Sequence, residues 1–193
     1  MPRDDGKSPG TQSRVVKKTN PMKVYLSENA FMGLLLSSAE VFKKESLGYL
    51  LGYRLYDRII VEYAFSLQSA KRKRRGVIFH RRDQKKILSI LSNFAKLEIV
   101  GDFHSHTPYG NAKGIAMPSP EDIKAMEKEN LYLIIAINEG LTSRSWKENK
   151  DRSISGSMGS FFFKISAYFY PYVNSIPRRA PIYCTFPPGL KLG

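Results

Sequence analysis

Leu97-Glu-Ile-Val-Gly-Asp-Phe-His-Ser-His106 reads as a strand that ends on two histidines. Strand side chains alternate between faces, so His104 and His106 project to the same side. After a loop rich in Gly, Pro and Asn (Thr107 to Pro118), Ser119-Pro-Glu-Asp122 opens a short helix to about Glu129. Leu131 to Ile137 is then an unbroken apolar run, as expected of a strand buried on both faces. The first strand thus delivers both histidines at its C-terminal end, and Leu131 to Ile137 reads as a central strand of a mixed sheet.

Outward from this centre, Ile87, Leu88, Ile90, Leu91, Phe94 and Ala95 mark an amphipathic helix from about Arg82 to Lys96. Val77 to His80 is a short strand, and Arg58 to Leu67 and Gly48 to Tyr53 are longer ones with a turn near Asp57. Ser27 reads as the N-cap of a helix to about Lys44, in which Phe31, Leu34, Leu35, Ala39 and Phe42 recur at helical spacing; Lys23 to Leu26 is a first strand. Downstream, Asn138 to Ser157 reads as a polar loop and Ser160 to Tyr170 as an aromatic strand. The last 23 residues hold five of the eleven prolines, so an extended, irregular course is expected there, with room for a strand at Pro181 to Thr185. The fold class is α+β: a mixed sheet flanked by about three helices. Residues 1–20 are expected as a disordered tail, residues 21–170 as one domain and residues 171–193 as a Pro-rich C-terminal extension.

Composition excludes several classes. No apolar run reaches the ~18 residues of a membrane span, and the polar, basic N-terminus has no secretory apolar core. Cys184 is the only cysteine, which rules out an internal disulfide and a thiolate-rich zinc site and suits a reducing cytoplasm. The formal net charge is +14. Between Lys71 and Lys86 nine Lys or Arg face a single acid, Asp83. Such a cluster suits an acidic partner, or a solvated loop and helix face, and Lys71–Arg75 also fits a nuclear localisation signal. No nucleic-acid recognition motif accompanies it.

Two imidazoles and a carboxylate are three ligands for one zinc ion, and three protein ligands leave the fourth tetrahedral position open to water. Zinc there would bring the pKa of that water down to about 7 and make it a nucleophile at neutral pH. A hydrolase also needs a proton carrier. Glu45, just ahead of the Gly48–Gly52 strand, is the candidate general base and then general acid. Ser119 is the candidate hydrogen-bond donor to the oxyanion. Each residue has a plainer reading. Ser119-Pro120-Glu121-Asp122 is also simply a good helix start. Asp102 could orient an imidazole or be an ordinary polar residue, and His80 reads as a surface residue at a strand end. Specificity lies in the combination.

The parts Glu45-Ser-Leu-Gly48-Tyr-Leu-Leu-Gly52, His104-Ser105-His106 and Pro118-Ser119-Pro120-Glu121-Asp122 occur in the order found in the JAMM (MPN-plus) metalloprotease family, which the chain resembles over roughly residues 22–170. The resemblance implies a sheet curled between helices, of the cytidine-deaminase-like type. It implies the same roles: His104, His106 and Asp122 on one Zn2+, Glu45 as acid and base, Ser119 at the oxyanion. It also implies a substrate, the peptide or isopeptide bond after the C-terminal Gly-Gly of a ubiquitin-like or sulfur-carrier protein. One departure is the loop from Thr107 to Pro118, whose twelve residues exceed the usual spacing; its glycines, Gly110 and Gly114, suggest a mobile flap. Linkage preference therefore does not carry over. The alternatives are a non-catalytic scaffold module on the same fold, and a DNA-associated protein of the RadC-like branch.

Overall fold

Alternating and continuous apolar runs assemble into one mixed sheet of ten strands. A computed structural model describes residues 22–67, 71–72, 77–78, 81–94, 96–140, 142–171 and 176–186. In chain order the elements are β1 (Lys23–Leu26), α1 (Glu28–Glu40), β2 (Leu47–Arg54), β3 (Arg58–Ser66), β4 (Lys71–Arg72), β5 (Val77–Ile78), α2 (Arg81–Leu91), β6 (Glu98–His106), α3 (Pro120–Ala125), β7 (Leu131–Glu139), β8 (Lys147–Glu148), β9 (Ile154–Met158), β10 (Phe161–Phe169), β11 (Arg178–Ala180) and β12 (Ile182–Tyr183). The sheet order is β12-β1-β3-β2-β6-β7-β10-β9-β8, with β11 paired to β10; β4 and β5 form a separate antiparallel pair. The expected N-terminal tail, His80 and most of the basic cluster's side chains lie outside the described residues.

β6 lies at the middle, antiparallel to β2 and parallel to β7. Parallel neighbours need a crossover, and residues 107–130 with α3 supply it. One face of the sheet holds the main core. There Phe103, Leu131, Leu133, Ile135, Ile137, Phe163 and Ile165 pack with Phe31, Leu34 and Leu35 of α1. Alternation leaves Asp102, His104 and His106 on the opposite face, beside Tyr132, Ile134 and Ala136 of β7.

Helix ends differ from the periodic reading for local reasons. α1 stops at Glu40, not Lys44, because the chain turns back: the Phe42 amide donates to the Ala39 carbonyl, the Lys44 amide donates to the Val41 carbonyl, and Lys43 has a φ of 81°. α3 stops at Ala125 because Met126 goes extended and buries its side chain with Tyr132, Ile134 and Tyr168. The expected loop at 138–157 contains two strands, β8 and β9. Ile-Ser-Gly-Ser-Met (154–158) carries little intrinsic strand signal. Its Gly156 is there for Trp146, since a Cβ at that position would lie 2.5 Å from the indole ring.

The described part of the C-terminal segment pairs into the sheet. β11 pairs with β10 and β12 pairs in parallel with β1, and only Pro181 separates them. Those six residues therefore carry the chain from one flank of the sheet to its far edge, and Ala180, Ile182 and Cys184 enter the main core.

Candidate metal centre

The histidines occupy the end of β6, where backbone pairing to β2 is nearly spent. Leu47 opposes His104. One step on, the Ser105 amide donates to the Ser46 carbonyl (3.0 Å), and the Ser46 amide donates to Ser105 Oγ (2.8 Å). Glu45, the residue ahead of Ser46, therefore comes alongside the end of β6. The carboxylate of Glu45 is close enough to favour the protonated form of His106. The strand pairing thus brings Glu45 to the histidines from a distant part of the chain.

α3 supplies the third group. Ser119 is its N-cap: Ser119 Oγ accepts from the Asp122 amide (3.1 Å), and Asp122 Oδ2 accepts from the Ser119 amide (2.7 Å), a reciprocal capping box with Pro120 in the first turn. The helix-start reading holds, and the same cap fixes the carboxylate of the ligand reading in place. The cap holds the Asp122 carboxylate, and Oδ2 lies 3.4 Å from both His104 Nε2 and His106 Nε2, which are 3.1 Å apart. Two ligand atoms on one tetrahedral zinc are separated by roughly 3.3 Å, given bonds of about 2.0–2.1 Å. The donor set and its spacing fit one divalent ion of zinc's size, and His104, His106 and Asp122 could hold it.

The electrostatics reflect these contacts. Burial disfavours a charged Asp122, but the Nε2 groups of both histidines, when protonated, and the Ser119 amide outweigh it and hold the carboxyl well below the usual range. Burial likewise works against a charged His106, but Asp122, the Ile115 carbonyl and Glu45 together raise its pKa. Asp102 lies under the site, opposite Tyr49 on β2 and Tyr132 on β7. Burial first, then the charges of Glu127 and Asp122, push its carboxyl up to about 8. It does not orient His106. The group against His106 Nδ1 is the Ile115 carbonyl, at 2.8 Å.

That contact comes from the long loop, which the sequence suggested as a flap. Its tip is a tight turn in which Tyr109 and Ala112 exchange backbone hydrogen bonds. Its returning arm is tied down: Asn138 of β7 bonds the Gly114 amide and carbonyl, and Tyr168 Oη donates to the Ala116 carbonyl (3.3 Å). A cavity of about 630 Å³ lies beside this arm, lined by Lys113, Met117, Ala136, Phe162, Lys164 and Arg179 among others. Sequence reading missed Ile115 because a backbone carbonyl leaves no trace in residue type. It passed over Asn138 as the first residue of a loop.

Among solved structures, the solution structure of protein DSY2949 from Desulfitobacterium hafniense is similar, with a TM-score of 0.58 at 19% identity over 84% of this chain and 92% of that one. The likeness supports the fold. Among curated proteins no sequence matches. The family profile described as prokaryotic homologs of the JAB domain (Prok-JAB) matches residues 28–149, a span that includes Glu45, both histidines, Ser119 and Asp122. With the sheet, the His-x-His strand end and the capped aspartate in place, the chain belongs to the Prok-JAB family, the prokaryotic branch of the JAB/MPN domain.

Proposed function

We propose that the protein is a zinc-dependent peptidase or isopeptidase, cutting after the C-terminal Gly-Gly of a ubiquitin-like or sulfur-carrier protein, on a domain of the cytidine-deaminase-like type. The observation that carries this reading is the convergence of His104 Nε2, His106 Nε2 and Asp122 Oδ2 within 3.4 Å, with Glu45 close enough for its charge to act on His106. Bound zinc would supply Lewis-acid activation of water and of the scissile carbonyl. His104, His106 and Asp122 would hold it with neutral nitrogens and one negative oxygen. Glu45 takes the proton released by the attacking water and passes it to the leaving amine nitrogen. Ser119 Oγ already accepts from the Asp122 amide, so its hydroxyl proton can point outward and donate to the oxygen that gathers charge. Cytoplasmic residence fits the lone, buried Cys184; among the described residues no helix is long and apolar enough to cross a membrane.

The test separates ligands from the proton carrier. Metal is measured by elemental mass spectrometry, and cleavage is followed on a panel of ubiquitin-like fusions. About one zinc per chain is expected, reduced in Asp122→Asn, whereas Glu45→Gln should retain zinc and lose turnover by roughly two or more orders of magnitude. Full activity in Glu45→Gln would remove that residue from the mechanism. A metal-free protein, even after zinc is added back, would favour a binding module on this fold, since the family also has non-catalytic members.

A further inference from the structure

We propose that Asn138 is a positioning residue for the metal site, acting through the long loop to set the ring of His106; this rests on the zinc reading above. β6 and β7 run parallel, with His106 opposite Ala136. Two residues on, by strand alternation, Asn138 presents its side chain on the same face. Its amide grips one residue of the loop with both ends: Oδ1 accepts from the Gly114 amide (2.9 Å) and Nδ2 donates to the Gly114 carbonyl (3.1 Å). A side-chain amide is the group that can satisfy a donor and an acceptor on one residue at once.

The grip matters because of the neighbour of Gly114 in the chain. The next carbonyl, that of Ile115, is the partner of His106 Nδ1. The Ile115 side chain is 61% exposed, so packing of that side chain does not place its carbonyl. The arm is held instead by Asn138 on one side of Ile115 and by Tyr168 Oη on the other, through the Ala116 carbonyl. Tyr168 is in turn fixed by the Arg179 Nε donor at 2.8 Å. Gly114 has to be glycine for this approach, since a Cβ there would lie 2.3 Å from the backbone oxygen of His106. A carbonyl against Nδ1 demands that the proton sit on Nδ1. It thereby leaves the Nε2 lone pair facing His104 Nε2 and Asp122 Oδ2, the direction in which a metal is held. The loop arm thus supplies His106 with a carbonyl that the strand does not.

The experiment reads the tautomer and the metal separately. In zinc-free protein carrying Asp122→Ala, so that no carboxylate draws the proton to Nε2, and at a pH where both imidazoles are neutral, ring nitrogen chemical shifts report which nitrogen of His106 is protonated. With Asn138 in place the Nδ1-H form is expected, and Asn138→Ala should shift it toward a mixture while His104 changes little. Zinc competition against a chromophoric chelator should show Asn138→Ala binding about 10–100-fold more weakly. Gly114→Ala perturbs the same arm at its contact with the His106 backbone and is expected to do the same, so a poorly folding Asn138 variant does not decide the matter. Zinc affinity equal to wild type in both variants, or an unchanged His106 tautomer in both, would overturn the role of Asn138 and leave the metal site standing. Failure of wild type itself to bind zinc would overturn the metal reading, and the positioning role with it.

Discussion

At the scale of the residue, a metal held at this centre would compete with a proton for the same atoms. Asp122 holds its negative charge because two histidines and an amide face it, and His106 is easier to protonate than an ordinary histidine because Asp122, Ile115 and Glu45 outweigh its burial. This sets the sign for zinc. Metal needs a neutral imidazole, so each fall in pH through the raised His106 pKa adds a proton that zinc must displace. Zinc affinity is expected to fall, and proton release on binding to rise, from a pH above that at which a free histidine would begin to compete. Calorimetry in two buffers of different ionisation enthalpy reads both. A flat affinity across that range would show that the ring is not a ligand.

At the scale of the element, two pieces carry predictions. In β9, Gly156 admits the ring of Trp146, which is 3% exposed in the main core and would lie 2.5 Å from a Cβ at that position. Gly156→Val puts branched carbon where the indole is, and is expected to cost about 1–3 kcal/mol of stability. Since Trp146 is the only tryptophan, its fluorescence in urea reads both the local disturbance and the global unfolding. The second piece is the basic run Lys71–Arg75, whose first two residues form β4, one strand of a small pair apart from the main sheet. If the run meets an acidic face of the protein substrate, reversing its charge is expected to raise KM several-fold with kcat little changed, and the effect to shrink at high salt. An unchanged KM would leave the run as a solvated surface.

At the scale of the whole molecule, the C-terminal strands decide how much chain makes the domain. β11 and β12 bridge β10 to β1, and Ile182 is 3% exposed against Val24 and its neighbours in the core. Ile182→Ala is expected to cost about 2–5 kcal/mol, read as a shift of the urea midpoint with the slope unchanged. Burial also pushes the Cys184 thiol up to about 12, so thiol reagents should report unfolding and not surface reactivity.

What the sequence determined by itself was local and periodic. The His-x-His spacing on an extended segment fixes both imidazoles to one face, the Ser-Pro-Glu-Asp start fixes a capped helix, and the apolar run at Leu131 fixes a buried strand, because each depends on neighbours within a few residues. Glu45 is singled out by the order of motifs and not by any local property. The tertiary structure alone decided the rest. The β2–β6 register carries Glu45 to His106, the β6–β7 pairing brings Asn138 to the loop, and the far edge of the sheet recruits Ile182. These are contacts between backbones far apart in the chain. A carbonyl at Ile115, a glycine that admits Trp146 and a proline-flanked strand carry their meaning only once the partner is in place.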